Sequence, residues 1–102
     1  MLINISDQTF LNEIQRRKAA IVLFYATWCG YCARIKPTFE TISKNDNREF
    51  VLVDISNEDS PLWDEFEIEV VPTIIQFKNG IPGKRISGVL TAEHLKKFLA
   101  GL

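Results

Sequence analysis

Cysteine and histidine are both scarce in this sequence. Its 102 residues contain two cysteines and one histidine, His94, which is expected on the exposed face of a helix. A zinc or iron–sulfur site needs about four ligands, so one copy of the chain cannot complete such a site by itself. A metal held between two copies, through their paired cysteines, stays open as an alternative. We otherwise expect a protein without a metal or cofactor of its own.

Long apolar runs and an excess of one charge are also missing. The formal net charge is −1, which argues against a nucleic-acid partner and against binding to an acidic membrane surface. No run approaches the roughly 18 apolar residues of a membrane span, and the N-terminus lacks the basic and apolar segments of a signal peptide. We therefore expect one cytoplasmic domain over residues 1–102, acting as a monomer.

The apolar residues show the spacing of strands in some segments and of helices in others, and the two kinds of segment follow one another along the chain. They predict strands over Leu2–Ile5, Ile21–Ala26, Phe50–Ile55, Thr73–Phe77 and Lys84–Ser87. They predict helices from Ser6 or Asp7 to Arg17, from Cys29 to about Lys44 with a kink at Pro37, from Asn57 to Phe66, and from Thr91 onward. Asn79-Gly80 predicts a hairpin between the last two strands. This order indicates an α/β fold, a mixed central β-sheet flanked by helices on both faces.

Both cysteines lie in Trp28-Cys29-Gly30-Tyr31-Cys32, where a buried strand gives way to a helix. A spacing of three on a helix puts two side chains on one face, compatible with the roughly 5.5–6 Å between Cα atoms that a disulfide prefers. Cys29 would lie at the helix N-terminus, whose free N–H groups and dipole stabilise a thiolate. We therefore assign Cys29 as the nucleophile and Cys32, one turn deeper, as the resolving thiol. The alternatives are an inert disulfide and two buried thiols.

Further motifs, taken with this pair, resemble the thioredoxin family over essentially the whole chain. Phe24–Cys32 is similar to the family's active-site segment, Pro37 lies at its helix-kink proline, and Val71-Pro72-Thr73 is similar to its cis-proline loop. Phe77–Gly80 resembles its β-hairpin, and Gly88 resembles the glycine that borders its substrate groove. The resemblance implies the thioredoxin fold and the activity of a thiol–disulfide oxidoreductase.

The resemblance also implies which residues contact a substrate: Trp28, Gly30, Tyr31, Val71, Pro72 and Gly88. Trp28 would form a partly exposed wall of the site, and Gly30 would let a substrate backbone approach closely. The bond before Pro72 would be cis and would face the two thiols, where the family's proline prevents metal capture. The backbone of Val71 would pair with the substrate chain by β-augmentation.

Two departures from the family stand close to these residues. Leu23 and Leu52 occupy the positions where many thioredoxins have a buried aspartate and its lysine partner. The acid normally helps the second cysteine gain and lose its proton, so we expect Cys32 to deprotonate only at higher pH and resolution to slow. Tyr31 replaces the usual proline, which frees a backbone N–H near Cys29 to stabilise its thiolate. We therefore expect a reduction potential above the value of about −270 mV for thioredoxin.

The predicted function is the reduction of disulfides in protein substrates through a Cys29/Cys32 dithiol–disulfide cycle. A thioredoxin-reductase-type enzyme would supply the electrons. One alternative is a disulfide oxidase or isomerase. Another is a binding module that has the same fold but no significant turnover, although a pure binder has no need of both thiols.

Overall fold

Five strands and four helices alternate along the chain in the computed structural model, which describes residues 1–102. The strands are β1 (Leu2–Asn4), β2 (Ala19–Tyr25), β3 (Phe50–Asp54), β4 (Thr73–Lys78) and β5 (Ile81–Ser87). The helices are α1 (Phe10–Ile14), α2 (Gly30–Lys44), α3 (Leu62–Glu65) and α4 (Ala92–Ala100). The predicted order of elements is confirmed. None of the helices is long and apolar enough to cross a membrane.

The strands form one mixed sheet in the order β1-β3-β2-β4-β5. β1, β3 and β2 are parallel, because a helix between successive strands returns the chain to the same end of the sheet. β4 runs antiparallel to β2, and β5 runs antiparallel to β4. Asn79 and Gly80 form the turn between β4 and β5 with φ values of 52° and 80°, the positive values that a type I′ turn needs. The predicted mixed sheet and hairpin are confirmed.

Each face of the sheet has its own apolar core. Side chains alternate along β2, so Phe24 points to one face and Leu23 to the other. The first face has a cluster of 14 buried residues, in which four phenylalanine rings meet edge to face or tilted. The second face has a cluster of nine buried residues, which includes Ile35 of α2 and Leu95 of α4. Helices therefore cover both faces, as predicted.

The first helix begins later than predicted. Its N-cap is Thr9 rather than Ser6 or Asp7, and it ends at Ile14 rather than Arg17. The Ser6 carbonyl accepts the Thr9 amide at 3.2 Å, so residues 6–9 form a turn that precedes the helix. The prediction of the cap is therefore wrong, because Ser6 serves the turn and not the helix.

Two other elements differ from the prediction by three or more residues at their first residue. The third helix is Leu62–Glu65, shorter than predicted, because the Asn57 carbonyl accepts the Ser60 amide in a turn before it. β5 begins at Ile81 rather than Lys84, since an edge strand tolerates the proline that follows. Both differences lie away from the two cysteines.

α2 continues through Pro37, which lies inside the helix. Proline has no N–H for the carbonyl four residues earlier, so the helix loses its hydrogen bond to Ala33. Beyond this point the helix runs on to Lys44. Its buried apolar side chains are Cys32, Ile35 and Phe39. Since Ile35 and Phe39 pack in the nine-residue core, Cys32 lies on the side of the helix that faces the sheet.

Candidate active site

Cys29 and Cys32 lie together at the N-terminus of α2, shortly after β2 ends. Cys29 is the N-cap, and its sulfur accepts the Cys32 amide at 3.3 Å. The Cys29 thiol also donates to the carbonyl of Val71 at 3.4 Å. Both cysteines are free thiols, with Cys29 partly exposed and Cys32 only 1% exposed. The fold therefore exposes the sulfur of Cys29, and not that of Cys32, to solvent.

The surroundings of Cys32 disfavour its thiolate. Burial of the thiol, followed by its hydrogen bond with Cys29, raises the pKa of Cys32 to about 12. A hydrogen bond with the backbone of Ala26 acts in the opposite direction and is a smaller effect. Because the thiolate is the nucleophilic form of cysteine, Cys32 is a poor first nucleophile at neutral pH.

The loop that carries Trp28 is held by the turn that follows β3. The Thr27 amide donates to Oγ of Ser56 at 2.7 Å, and the indole N–H of Trp28 donates to the Ser56 carbonyl at 2.9 Å. The carboxylate of Asp54 accepts both the amide and the hydroxyl of Ser56. Trp28 is therefore fixed with 58% of its surface exposed beside Cys29. Sequence reasoning missed Ser56, because the contact joins residues 28 positions apart and no local pattern marks it.

A second tryptophan, Trp63 of α3, supports the first. The rings of Trp28 and Trp63 are stacked, with centroids 6.5 Å apart and planes 6° from parallel. The indole N–H of Trp63 donates to the carbonyls of Ile55 and Asn57, each at 3.2 Å. The short helix α3 therefore forms part of the wall around Cys29. The sequence predicted a short polar helix over Asn57–Phe66 but not its contact with Trp28.

The loop before β4 faces the two thiols. The Val71–Pro72 peptide bond is cis, as predicted, and the Val71 carbonyl accepts the Cys29 thiol. The Gly88 amide donates to the Pro72 carbonyl at 3.1 Å, and the φ of 94° at Gly88 is one that residues with side chains rarely adopt. The structure therefore brings Val71, Pro72 and Gly88 to the same side as Cys29. Their contacts with a substrate stay a prediction.

Two depressions open beside Cys29. The larger, about 400 Å³, is called here the Trp28 groove and is lined by Trp28, Cys29, Gly30, Tyr31, Trp63, Glu69, Val70 and Val71. It contains four of the six residues predicted to contact a substrate and leaves out Pro72 and Gly88. The smaller, about 190 Å³, reaches the buried thiol and is lined by Tyr25, Ala26, Thr27, Cys29, Cys32, Ala33 and Lys36. The surface beside Cys29 is therefore largely apolar and aromatic.

No metal site is built within the chain. No group of three or more histidine, cysteine, aspartate or glutamate side chains is arranged to hold a metal ion. His94 lies in the capping box of α4, where its Nδ1 accepts the Thr91 amide at 3.2 Å. Cys29 and Cys32 supply two sulfur ligands, so a tetrahedral zinc ion would need two more from outside the chain.

Comparison with known proteins agrees with this geometry. The sequence profile described as Thioredoxin matches residues 1–101. The chain belongs to the thioredoxin family. The protein named thioredoxin X, chloroplastic, of Arabidopsis thaliana is 35% identical over 92 residues, which cover 87% of this chain and 50% of that protein. The bifunctional thioredoxin reductase/thioredoxin of Mycobacterium leprae is 32% identical over 88 residues, which cover 84% of this chain and 19% of that protein.

A solved thioredoxin has the same fold over almost its full length. The reduced thioredoxin pre-protein of Schistosoma mansoni matches with a TM-score of 0.83 and 28% identity, covering 98% of this chain and 96% of that one. The chain spans half of the Arabidopsis protein and a smaller share of the mycobacterial one. The predicted thioredoxin fold is confirmed.

Beneath the active site, this member of the thioredoxin family has the predicted apolar pair. Leu23 of β2 and Leu52 of β3 are neighbours in the parallel register and are 0% and 2% exposed. Both pack in the nine-residue core with Ile35, which lies one turn along α2 from Cys32. A well-packed apolar pair can replace a buried ion pair without loss of stability. The layer beneath Cys32 is therefore apolar and holds no carboxylate at these two positions.

The role predicted for the Tyr31 amide stays a prediction. In the thiol form, the amide that bonds to the Cys29 sulfur is that of Cys32. A proline at position 31 would leave this hydrogen bond in place, so the bond does not distinguish tyrosine from proline. The Tyr31 side chain is 50% exposed and lines the Trp28 groove. The potential itself stays a prediction.

Proposed function

We propose that this chain is a thiol–disulfide oxidoreductase that reduces disulfides in other proteins. The observation that carries the proposal is a partly exposed Cys29 sulfur at a helix N-cap, with the free thiol of Cys32 buried three residues on. Thiol–disulfide exchange needs one thiol to attack and a second to release the mixed disulfide. Membership of the thioredoxin family supports the proposal.

In the first step, Cys29 attacks a disulfide of the substrate. The Cys32 amide and the N-terminus of α2 stabilise the Cys29 thiolate. The Cys29 sulfur bonds to one substrate sulfur while the substrate S–S bond breaks, and the other substrate sulfur leaves as a thiolate that takes a proton from water. The backbone of Val71, which already contacts Cys29, is placed to pair with the substrate chain.

In the second step, Cys32 loses its proton to solvent and attacks the Cys29 sulfur. The bond between Cys29 and the substrate breaks, and the second substrate sulfur leaves and takes a proton. The substrate has then gained two electrons and two protons, and the protein holds a Cys29–Cys32 disulfide. Because burial of the thiol raises the pKa of Cys32, its thiolate is scarce at neutral pH, and this step is the slow one.

The proposed electron donor is a thioredoxin-reductase-type enzyme, which returns the disulfide to the dithiol with two electrons and two protons. The name of the Mycobacterium leprae relative, which joins a thioredoxin reductase and a thioredoxin, supports this pairing. We place the protein in the cytoplasm, where thiols are kept reduced, and we propose that it acts as a monomer.

Reduction of insulin disulfides by dithiothreitol tests the proposal. We expect the wild-type protein to accelerate the reaction and Cys29→Ser to return the rate to that of dithiothreitol alone, because a serine hydroxyl cannot form the mixed disulfide. Circular dichroism and thermal unfolding of the variant check that it is folded. A wild-type rate no higher than that of dithiothreitol alone would contradict the proposal and favour the binding module.

A further inference from the structure

The Trp28 groove does not end at Trp63 but continues into a second depression. This neighbour, about 620 Å³, is lined by Trp63, Asp64, Glu67, Ile68, Glu69 and Arg85. Trp63 and Glu69 belong to both depressions, so one continuous surface leads from Cys29 to these carboxylates. Three apolar side chains on the Cys29 side of this surface are about half exposed, namely Trp28, Tyr31 and Val70.

More than half of the acidic residues of the chain lie in one segment, which supplies the carboxylates of the second depression. Residues 54–69 hold seven of the 13 acidic residues of the chain and none of its 12 basic ones. All seven side chains are exposed: Asp54, Glu58, Asp59, Asp64, Glu65, Glu67 and Glu69. The net charge of −1 therefore conceals one strongly acidic segment, and the remaining residues, with six acidic and 12 basic side chains, are basic on balance.

None of these seven carboxylates is neutralised within the chain. The four ion pairs of the structure join other acids to Arg17, Arg48 and Lys97. Arg85 is the one cation that lines the second depression, and its guanidinium donates to the backbone carbonyl of Glu67 at 3.4 Å rather than to a carboxylate. The rim formed by Asp64, Glu67 and Glu69 therefore keeps its negative charge.

We infer that the Trp28 groove selects polypeptide disulfides whose flanking residues include lysine or arginine. The inference rests on the proposed function. A substrate chain that pairs with Val71 passes close to Glu69, which lies two residues before Val71. Three residues of an extended substrate chain span about 10 Å. A basic residue at that distance from the substrate cysteine reaches the rim, and the faces of Trp28 and Trp63 add a site for its cation.

The charge acts mainly on the rate of encounter. An acidic rim beside a reactive group raises the association rate of a basic partner and lowers that of an acidic one. The effect is screened as ionic strength rises, since the Debye length falls from about 30 Å at 0.01 M salt to about 3 Å at 1 M. Selectivity that disappears at high salt is therefore the signature of this surface.

Two oxidised peptides test the inference. Both peptides have the same length and a single intramolecular disulfide. At the second and third positions from each cysteine, the first peptide has lysine and the second has glutamate. Single-turnover reduction is followed with the reduced protein at about 0.02 M and at 1 M salt. We expect the lysine peptide to react about tenfold faster at low salt, with a ratio near one at high salt.

Glu69→Gln is the variant that locates the effect. It should lower the ratio of the lysine-peptide rate to the glutamate-peptide rate several-fold at low salt. Glu93→Gln, which removes one charge from α4, should leave this ratio unchanged. Uncharged hydroxyethyl disulfide serves as a reference substrate. If the protein reduces hydroxyethyl disulfide but reduces the two peptides at equal rates, or the glutamate peptide faster, the inference is overturned and the proposed function stands. If it reduces none of the three substrates, the proposed function is overturned.

Discussion

Leu23→Asp should speed the second step of the cycle at neutral pH and weaken its dependence on pH. In the wild-type protein, burial raises the pKa of Cys32 well above the neutral range, so the rate of resolution should rise about tenfold per pH unit between pH 7 and pH 9. An aspartate at position 23 would enter the core that contains Ile35, one turn from Cys32 on α2. Its carboxylate would accept the thiol proton, and we expect resolution at pH 7 to increase about a hundredfold.

The same substitution should lower the stability of the fold. Leu23 is fully buried, and a carboxylate there without a cationic partner should cost about 3–5 kcal/mol in the free energy of unfolding. Leu23→Asp/Leu52→Lys should recover part of this loss, because the two positions are register neighbours on β2 and β3. Denaturant unfolding measures the stability of both variants. If Leu23→Asp is too unstable, the rate of the second step is measured on the double variant.

Leu23→Asn is the matched control for the kinetics. Its amide has nearly the shape of the acid and exchanges no proton, so it should keep the pH dependence of the wild-type protein. The decay of the mixed disulfide, measured by rapid quenching from pH 6 to pH 9, reports the second step directly. Identical pH–rate profiles for Leu23→Asp, Leu23→Asn and wild type would show that the apolar layer does not control the Cys32 proton.

Alkylation of the reduced wild-type protein should be almost confined to Cys29. The Cys32 side chain is only 1% exposed, and burial raises its pKa to about 12, so its thiolate fraction at pH 7 is on the order of 10⁻⁵. We expect iodoacetamide to modify Cys29 more than about a hundredfold faster at this pH. Peptide mapping by mass spectrometry after limited reaction gives the ratio.

The unfolded chain provides the control for this ratio. In concentrated guanidinium chloride both cysteines are exposed, and they should react at comparable rates. Raising the pH of the folded protein toward 10 should still leave Cys32 largely unmodified, since its thiolate fraction there is on the order of 10⁻² and its side chain is only 1% exposed. Equal modification of the two cysteines in the folded protein at pH 7 would contradict their assigned roles.

The parts of the site that depend on local sequence could be predicted. The strand before Cys29, the helix after it and the spacing to Cys32 all lie within one continuous segment, so periodicity and capping rules apply to them. The cis bond at Pro72 followed from the resemblance to the family. Leu23 and Leu52 could be identified as an apolar pair for the same reason, and the structure shows them as neighbours in the register of β2 and β3.

The parts that depend on contacts between loops could not be predicted. Ser56 holds the Trp28 loop through a backbone carbonyl and a hydroxyl, and the stack of Trp28 on Trp63 joins this loop to α3. No spacing rule in a single sequence relates such positions. The hydrogen bond from the Cys32 amide to the Cys29 sulfur is set by the geometry of the helix N-cap rather than by residue type, so it does not depend on Tyr31.

The most direct test of the central claim, that Cys29 attacks and Cys32 resolves, is trapping of the mixed disulfide. Reduced Cys32→Ser is mixed with an oxidised protein substrate, and the product is mapped by non-reducing electrophoresis and mass spectrometry. We predict a stable adduct through Cys29, because no second thiol remains to release it. Cys29→Ser should form no adduct on the same timescale. An equally rapid adduct through Cys32 in Cys29→Ser, or none in Cys32→Ser, would contradict the claim.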